Sequence, residues 1–273
     1  MGSRERFHLH LQYLLGRLAV FLLAPFVYLS VRLFGYRIRN LQEIRRTCQR
    51  LFQDHPGPWI ICANHLTNID SVILAYALAP MHRYIRQFSL LPWNLPERAN
   101  FQRNLFSTVV CYLAKCIPVN RGGDREEMKR VLDKCIYILD RKQNLLIFPE
   151  GGRSRTGRVN TQSFSYGVGR FVSASEAGKI LCIYMRGDGQ EHYSAIPRWG
   201  ERFSLLIDVL HPVTPDVTGL RAQRHYAEQI IKQLAKMEEN YFAARRQRHS
   251  GLTAPRCDEK KRGYTLPETR ISP

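Results

Sequence analysis

Four short apolar runs after residue 57 constrain the fold of this chain more than any other feature. They lie at residues 59–63, 145–148, 180–185 and 203–210. Between them, apolar residues recur at helical spacing, for example at Met128, Val131 and Cys135. Strands that alternate with helices are typical of α/β domains. We therefore expect a mixed central sheet flanked by helices.

Two of the helical patterns have recognisable ends. Asp124 followed by Glu127 predicts a capping box, and the helix that begins there should end near Lys142. A last helix is expected over about 218–248 from the helical spacing of its apolar residues.

The first 40 residues contain an apolar stretch at 9–35, of which 18–31 are uncharged. A bilayer span takes about 20 such residues, and Pro25 interrupts this run. The stretch predicts a kinked helix that is immersed in a membrane or lies at its interface, so we interpret 1–40 as a membrane-associating segment. A buried helix of a soluble domain is the alternative. A removed signal peptide is not expected, because no small-residue cleavage site follows the run.

The rest of the chain divides into a folded domain and a tail. We expect the α/β domain to cover residues 41–244. Residues 245–273 hold eight basic and three acidic residues with few large apolar ones, which predicts a mobile basic tail.

The net charge indicates a class of partner. The chain has 41 Lys and Arg against 23 Asp and Glu, a formal charge of +18. Such a field attracts polyanions, which include nucleic acid, anionic lipid and phosphorylated small molecules. A nucleic-acid-binding protein is therefore one alternative. No specific nucleic acid is expected, because the charge is spread along the chain and no base-stacking motif is visible.

The cysteines predict neither disulfides nor a metal site. There are seven, without a CxxC pair, and most lie inside apolar runs. We interpret them as reduced core residues of a protein that faces the cytosol, and we expect no metal.

The polar sequence NHLTNID occupies residues 64–70, directly after the first apolar run. His65 would lie at the carboxyl end of a strand and Asp70 at the start of a helix. The carboxylate can orient one ring nitrogen while the other acts as a base in a cleft. The same spacing recurs at His211 and Asp216, but two prolines there mark an irregular linker. The spacing alone leaves a core or turn histidine open for His65.

The sequence FPEGGRSR occupies residues 148–155, directly after another apolar run. Its two glycines allow the backbone to approach a ligand closely. Arg153 and Arg155 offer planar donors suited to a phosphate or carboxylate, and Glu150 could hold an arginine or a hydroxyl. A solvated turn is the alternative.

A third motif, IPVNR at residues 117–121, places Arg121 just before the helix expected at Asp124. Helix N-termini favour anions, so a phosphate contact is plausible there. A surface arginine is the alternative.

Together, NHLTNID, IPVNR and FPEGGRS closely resemble the signature blocks of the glycerolipid acyltransferase superfamily, over about residues 59–185. This superfamily includes the lysophosphatidate and glycerol-3-phosphate acyltransferases. The resemblance implies an α/β fold after a membrane-embedding helical segment, with His65 as the general base and Asp70 as its orienting partner. It also implies a site for the phosphate group of the acceptor. The expected binding residues are Asn64, Arg121, Glu150, Gly151, Gly152, Arg153 and Ser154.

The chain departs from the family pattern at three places. Gly152 replaces a threonine, Ser165 and Tyr166 stand where a lysine is usual, and the fourth block lacks its proline. These changes leave His65 and Asp70 untouched and concern the acceptor.

The resemblance implies an O-acyltransferase. It would move a fatty acyl group from acyl-CoA or acyl carrier protein to a hydroxyl of a lysophospholipid, with 1-acylglycerol-3-phosphate as the expected acceptor. A lysolipid without glycerol phosphate is the alternative acceptor. No cofactor is expected beyond the acyl donor. The enzyme should be membrane-associated, contact membrane lipids and face the cytoplasm with its active site.

Overall fold

The structure is a computed structural model that describes residues 1–101, 104–120, 124–174 and 179–249. Within these ranges it has nine α-helices, one 3₁₀-helix and six β-strands. The helices are α1 (Ser3–Leu33), α2 (Leu41–Asp54), α3 (Asp70–Leu78), α4 (Met81–Arg86), α5 (Arg98–Phe101), α6 (Leu105–Leu113), α7 (Arg125–Asp140), α8 (Gly167–Ala174) and α9 (Gly219–His249), and the 3₁₀-helix is Phe88–Leu90. The strands are β1 (Arg37–Ile38), β2 (Trp59–Ala63), β3 (Trp93–Asn94), β4 (Leu145–Ile147), β5 (Lys179–Gly187) and β6 (Arg202–Leu210).

The six strands form one sheet in the order β1-β6-β5-β2-β4-β3. β5 and β6 pair antiparallel, and the other neighbours pair in parallel. The expected mixed sheet flanked by helices is therefore confirmed. All four predicted strands are present. The two edge strands β1 and β3 were not predicted, because two residues are too few for a recognisable pattern.

The central strands are apolar throughout because both faces of the sheet are covered. Every residue of β2 is buried, and so are residues 180–187 of β5. Ile61 of β2 and Leu181 of β5 belong to one apolar cluster with Ile73 and Leu74 of α3. A sheet covered on both sides has continuous apolar strands rather than alternating ones. This is why short runs such as WIICA were recognisable as strands.

The N-terminal helix α1 is apolar on its exposed side. Its packed face is narrow, and its buried residues are Leu9, Gln12, Gly16, Val20, Ala24 and Val31. Most of its other large apolar side chains point outward, and more than half of each is exposed at Leu18, Phe21, Leu22, Phe26, Leu29 and Leu33. A helix buried in a soluble domain would show the reverse distribution. The alternative of a soluble core helix is therefore not supported.

Helix α1 continues through Pro25, and the kink expected there stays a prediction. Its 31 residues are long and apolar enough to cross a membrane by length and composition alone. The uncharged run 18–31 therefore underestimates the apolar length of this helix. Arg17 is exposed within the outer face, and such a side chain can extend toward a headgroup layer.

Helix α1 packs closely against the end of α6. The Gln12 side-chain amide donates to the carbonyls of Tyr112 and Cys116, each at 2.9 Å. A Cβ atom at Gly16 would lie 2.5 Å from the carbonyl oxygen of Leu113. The small residue at position 16 therefore permits this contact.

The start of α7 differs from its prediction in one residue. Asp124 caps the helix and accepts from the amide of Glu126 at 3.4 Å. Glu127 does not complete a capping box, because its carboxylate pairs with Arg98 and accepts from Asn120. Long-range partners thus replace the local hydrogen bond. The last helix, α9, confirms the prediction over about 218–248.

The chain divides into two compact units, Met1–Glu238 and Glu239–Pro273, with the boundary inside α9. In the second unit, residues 239–249 are helical. Residues 250–273, which contain most of the predicted basic tail, lie outside the described residues. The proposed division at 41–244 and 245–273 remains a prediction.

Candidate active site

The carboxyl ends of β2 and β4 lie side by side and bring two sequence motifs together. The strands pair in parallel with Cys62 opposite Ile147, so the residues after each strand emerge at the same edge of the sheet. The ring of His65 stacks on that of Phe148, with centroids 4.2 Å apart and an interplanar angle of 20°. Ligands of open α/β sheets commonly bind at this edge. NHLTNID and FPEGGRS therefore form a single site.

Asp70 orients the imidazole of His65. Its Oδ2 atom lies 2.9 Å from Nδ1 of His65. The same oxygen accepts from the amides of Leu66 at 2.6 Å and Thr67 at 2.8 Å, and Oδ1 accepts from the Thr67 hydroxyl at 2.5 Å. Asp70 is only 2% exposed. With an Nδ1 proton directed at Asp70, Nε2 is the ring nitrogen that can accept a proton.

Glu150 holds the two motifs together through backbone amides. Its Oε1 accepts from the amide of His65 at 3.0 Å, and Oε2 accepts from the amide of Asn160 at 3.2 Å. These partners are backbone amides, not the arginine or hydroxyl that the sequence suggested. Burial raises the pKa of Glu150 to about 7, although the two amide hydrogen bonds act in the opposite direction.

The turn after Glu150 favours glycine at its first position. Gly151 has φ of +69°, in the left-handed region that favours glycine. The Ser154 hydroxyl donates to the carbonyl of Arg158, and the Ser154 amide donates to the carbonyl of His65 at 2.9 Å. Gly151 and Ser154 therefore shape the loop, whereas Gly152 lines the adjoining cavity.

Asn64 lies behind the site rather than in it. Its side-chain nitrogen donates to the carbonyl of Met185 at 3.0 Å, and its side-chain oxygen accepts from the amide of Met185 at 2.7 Å. The residue is 3% exposed. This geometry favours a positioning role, in which Asn64 ties the end of β2 to β5, over the predicted contact with substrate.

Arg153 lines the cavity beside His65 and is held by a segment that no sequence motif included. Its guanidinium donates to the carbonyl of Ser194 at 3.3 Å and lies over the ring of Tyr193 at 5.4 Å from the centroid. Arg155 lines the same cavity. Two arginines at one end of a cavity favour an anionic group there.

Arg121 and His211 were also named from the sequence. Arg121 lies outside the described residues, so its predicted phosphate contact stays a prediction. His211 lies in the irregular segment 211–218 between β6 and α9, as expected.

A cavity of about 650 Å³ extends from His65 into the apolar interior. This volume falls within the range of roughly 300–1,000 Å³ that is common for small-molecule sites. Its polar lining includes His65, Asn68, Ser71, Gly152, Arg153, Arg155 and Tyr193 around the candidate site, together with Asn94 and Glu97. The remainder is mainly apolar and includes Val20, Leu23, Ala24 and Val27 of α1, Phe88, and Val110 and Leu113 of α6.

The cavity is therefore suited to a long apolar chain attached to a polar group near His65. Among the described residues, no three His, Cys, Asp or Glu side chains are grouped so that they could hold a metal ion. The expectation of a reaction without metal stays a prediction.

Sequence reasoning missed two contacts within the candidate site, that of Thr67 with Asp70 and that of Tyr193 with Arg153. Thr67 stands inside NHLTNID, and a hydroxyl three residues before Asp70 was a readable signal for a local hydrogen bond. Tyr193 lies 40 residues after Arg153 and follows no recognisable motif.

Comparison with known proteins identifies a family for this chain. A family model described as Acyltransferase matches residues 36–186, more than half of the 273-residue chain. The match contains every residue assigned to the site from the sequence. No curated protein matches the chain.

Proposed function

The chain belongs to the glycerolipid acyltransferase family, and we propose that it transfers a fatty acyl group from an acyl thioester to a hydroxyl of a lysophospholipid. The observation that carries this proposal is the His65–Asp70 pair at the polar end of an apolar cavity. A reaction between a hydroxyl and a fatty acyl thioester requires a base beside an apolar cavity that can hold the acyl chain.

In the proposed reaction, Nε2 of His65 takes the proton of the acceptor hydroxyl while its oxygen attacks the thioester carbonyl carbon. The carbon–sulfur bond then breaks, and the imidazolium returns the proton to the departing thiolate. Asp70 stabilises the imidazolium and keeps the ring oriented. The stacked ring of Phe148 restricts its tilt. No covalent acyl-enzyme is needed in this scheme.

The apolar part of the cavity would hold the acyl chain of the donor, either acyl-CoA or acyl carrier protein. Residues of α1 form one wall, so the membrane-associating helix would also take part in substrate binding. Burial of a long alkyl chain against apolar side chains contributes about 0.8 kcal/mol per CH₂ group.

The acceptor would place its phosphate near Arg153. The guanidinium lies in the cavity wall with Gly152 next to it, and a planar donor fork suits a phosphate. 1-Acylglycerol-3-phosphate is the acceptor that we propose. A lysolipid with another headgroup is the alternative, because Gly152 stands where the family usually has threonine.

We further propose that the enzyme binds the cytoplasmic surface of a membrane. The outer face of α1 supports this location by its exposed apolar side chains. The formal charge of +18 suits the anionic lipids of a cytoplasmic leaflet.

The decisive experiment measures lipid products by mass spectrometry after purified protein is incubated with acyl donors and a panel of lysolipids. Wild-type protein should acylate at least one lysophospholipid. His65→Ala should lower the turnover by about 10² to 10⁴, the usual contribution of a positioned general base. His211→Ala is the matched control and should retain turnover, since His211 lies in the linker before α9. Normal turnover by His65→Ala, in a variant with an unchanged circular dichroism spectrum, would contradict the mechanism.

A further inference from the structure

Residues 193–200, between β5 and β6, connect the candidate active site to the end of α1. At the site, the amide of Ser194 donates to the carbonyl of Leu66, and the amide of Asn68 donates to the carbonyl of Ala195, both at 3.1 Å. The segment is thus paired with the backbone of NHLTNID.

The other end of the segment is attached to the residues that follow α1. The amide of Gly200 donates to the carbonyl of Phe34 at 2.8 Å, and the Tyr36 hydroxyl donates to the carbonyl of Pro197 at 3.1 Å. The ring of Trp199 packs on Phe34 with centroids 5.3 Å apart. The segment therefore has a defined position relative to both α1 and His65.

Two large apolar side chains of this segment are exposed. Trp199 is 73% exposed and Ile196 is 53% exposed, whereas Pro197 between them is buried. Phe34, on which Trp199 packs, directly follows the last turn of α1, where Leu33 is 62% exposed. Exposed apolar residues that form a contiguous patch mark an interaction surface. This patch continues the outer apolar face of α1.

The chemistry around this patch favours an anionic bilayer as the partner. Arg32, Arg37 and Arg198 are exposed near Phe34 and Trp199 in the chain. Tryptophan is enriched at the level of lipid headgroups, and arginines next to apolar residues bind anionic lipids there.

The same segment positions Arg153 for its proposed role. The Ser194 carbonyl accepts from its guanidinium, and the Tyr193 ring lies beneath it. Only two residues separate Ser194 from Pro197, and Trp199 follows two residues later. The segment that carries Trp199 therefore also holds Arg153.

We propose that residues 193–200 form a second membrane contact in addition to α1. Ile196 and Trp199 insert into the headgroup region of an anionic bilayer, and the segment thereby presents Arg153 to acceptor lipids within that bilayer. The membrane contact stands on the surface just described. Its effect on acceptor use rests on the proposed acyltransferase function.

Intrinsic fluorescence tests the membrane contact directly. The chain has three tryptophans, of which Trp59 and Trp93 are each 1% exposed. Trp199 is therefore the tryptophan that can meet lipid. With anionic phospholipid vesicles that carry bromine near the headgroups, wild-type emission should be quenched, and Trp199→Phe should abolish the quenching.

Vesicle binding itself should persist in Trp199→Phe, because α1 remains. Quenching that is equal in wild type and Trp199→Phe overturns the contact, and so does cosedimentation of wild type without quenching. Burial of Trp199 by a second copy of the chain would instead give dimers in light scattering and no bromine quenching, which also overturns it.

Acceptor kinetics test the functional half of the proposal. The double variant Ile196→Ser/Trp199→Ser should raise the apparent KM for acceptor in vesicles at least about tenfold, since burial of one large apolar side chain changes an equilibrium constant by a decade or more. The KM for a short-chain, water-soluble acceptor should stay unchanged. Leu220→Ser is the matched control, because Leu220 is 79% exposed at the start of α9, and it should change neither value.

The possible outcomes separate this inference from the function on which it rests. If the double variant has an unchanged KM for acceptor in vesicles, or if its KM rises equally for both acceptors, the segment has no role in acceptor delivery. If wild-type protein acylates neither acceptor, the proposed function fails, while the fluorescence result still decides whether the segment contacts the bilayer.

Discussion

Replacement of Asp70 by asparagine separates the charge of this side chain from its hydrogen bonds. Three donors converge on Oδ2, from His65, Leu66 and Thr67. An amide nitrogen placed there would face three N–H groups. Oδ1 instead meets the Thr67 hydroxyl, which can accept as well as donate. We therefore expect the new amide nitrogen to point toward that hydroxyl and the amide oxygen to remain on His65.

In this orientation, Asp70→Asn keeps the Nδ1–H form of His65 and removes the negative charge beside it. A hydrogen bond to a charged group contributes about 1.5–3 kcal/mol and a neutral one about 0.5–1.5 kcal/mol. The difference of about 1–2 kcal/mol corresponds to a loss of roughly 5- to 30-fold in kcat. The opposite orientation would impose the wrong tautomer, which costs on the order of 10⁴.

The assay is the initial rate of thiol release from the acyl donor at saturating acceptor, with circular dichroism to confirm folding. Thr67→Ser keeps the hydroxyl and serves as the control. Asp70→Asn combined with Thr67→Val removes the hydroxyl that receives the new amide, so this double variant should fall well below the product of the two single effects. Wild-type turnover by Asp70→Asn would refute the role of Asp70. A loss near 10⁴ in folded protein would refute the role assigned to Thr67.

Three further predictions concern the cavity and its supports. Arg153→Ala should raise the acceptor KM about 10- to 100-fold, the value of a hydrogen bond between charged groups, and leave the donor KM unchanged; an unchanged acceptor KM in steady-state kinetics would remove Arg153 from the phosphate site. Because burial raises the pKa of Glu150 from 4.5 to about 7, the folded state binds more protons than the unfolded state between these values, so the free energy of unfolding should fall as pH rises through this window. Glu150→Gln lacks the titrating group, so the free energy of unfolding of the wild type should fall by up to about 3 kcal/mol more than that of the variant in denaturant titrations. If the free energies of both proteins change equally with pH, the prediction is wrong. Cys111 lines the cavity, and the hydrogen bond with the Cys116 thiol lowers its pKa to about 7. In a Cys257→Ser variant, which removes a competing thiol, an acyl donor should slow the alkylation of Cys111 severalfold, as followed by mass spectrometry. Equal alkylation rates with and without donor would place the acyl chain elsewhere.

Much of the site could be predicted from the sequence because its two motifs follow apolar strands. A strand covered on both faces must be apolar along its length, so WIICA stands out, and the polar residues after it must lie at the end of the strand. His65 and Asp70 are five residues apart, across one turn and the start of α3. Local geometry is sufficient to bring such residues together.

The functions of Asn64 and Glu150 could not be inferred in the same way. The motif identified both as polar residues of the site. Asn64 uses both polar atoms of its side chain on Met185, and Glu150 accepts from the amides of His65 and Asn160. These backbone groups become neighbours only when β2, β4 and β5 pair, so sequence distance carries no information about them.

Lys115 shows the limit of local inference most clearly. A lysine near the end of a helix is expected in solvent, but Lys115 is fully buried, and its Nζ atom donates to the carbonyl of Leu91 at 2.6 Å. It also lies 5.0–5.4 Å from the ring centroids of Phe88, Tyr13 and Trp93. These partners come from α1, the 3₁₀-helix and β3. Residue patterns by themselves determined the strands, most helix positions and the His65–Asp70 pair, because each depends on near neighbours. The tertiary structure decided which polar side chains line the cavity and which stabilise the fold, because a buried donor is satisfied only by groups that long-range packing brings to it.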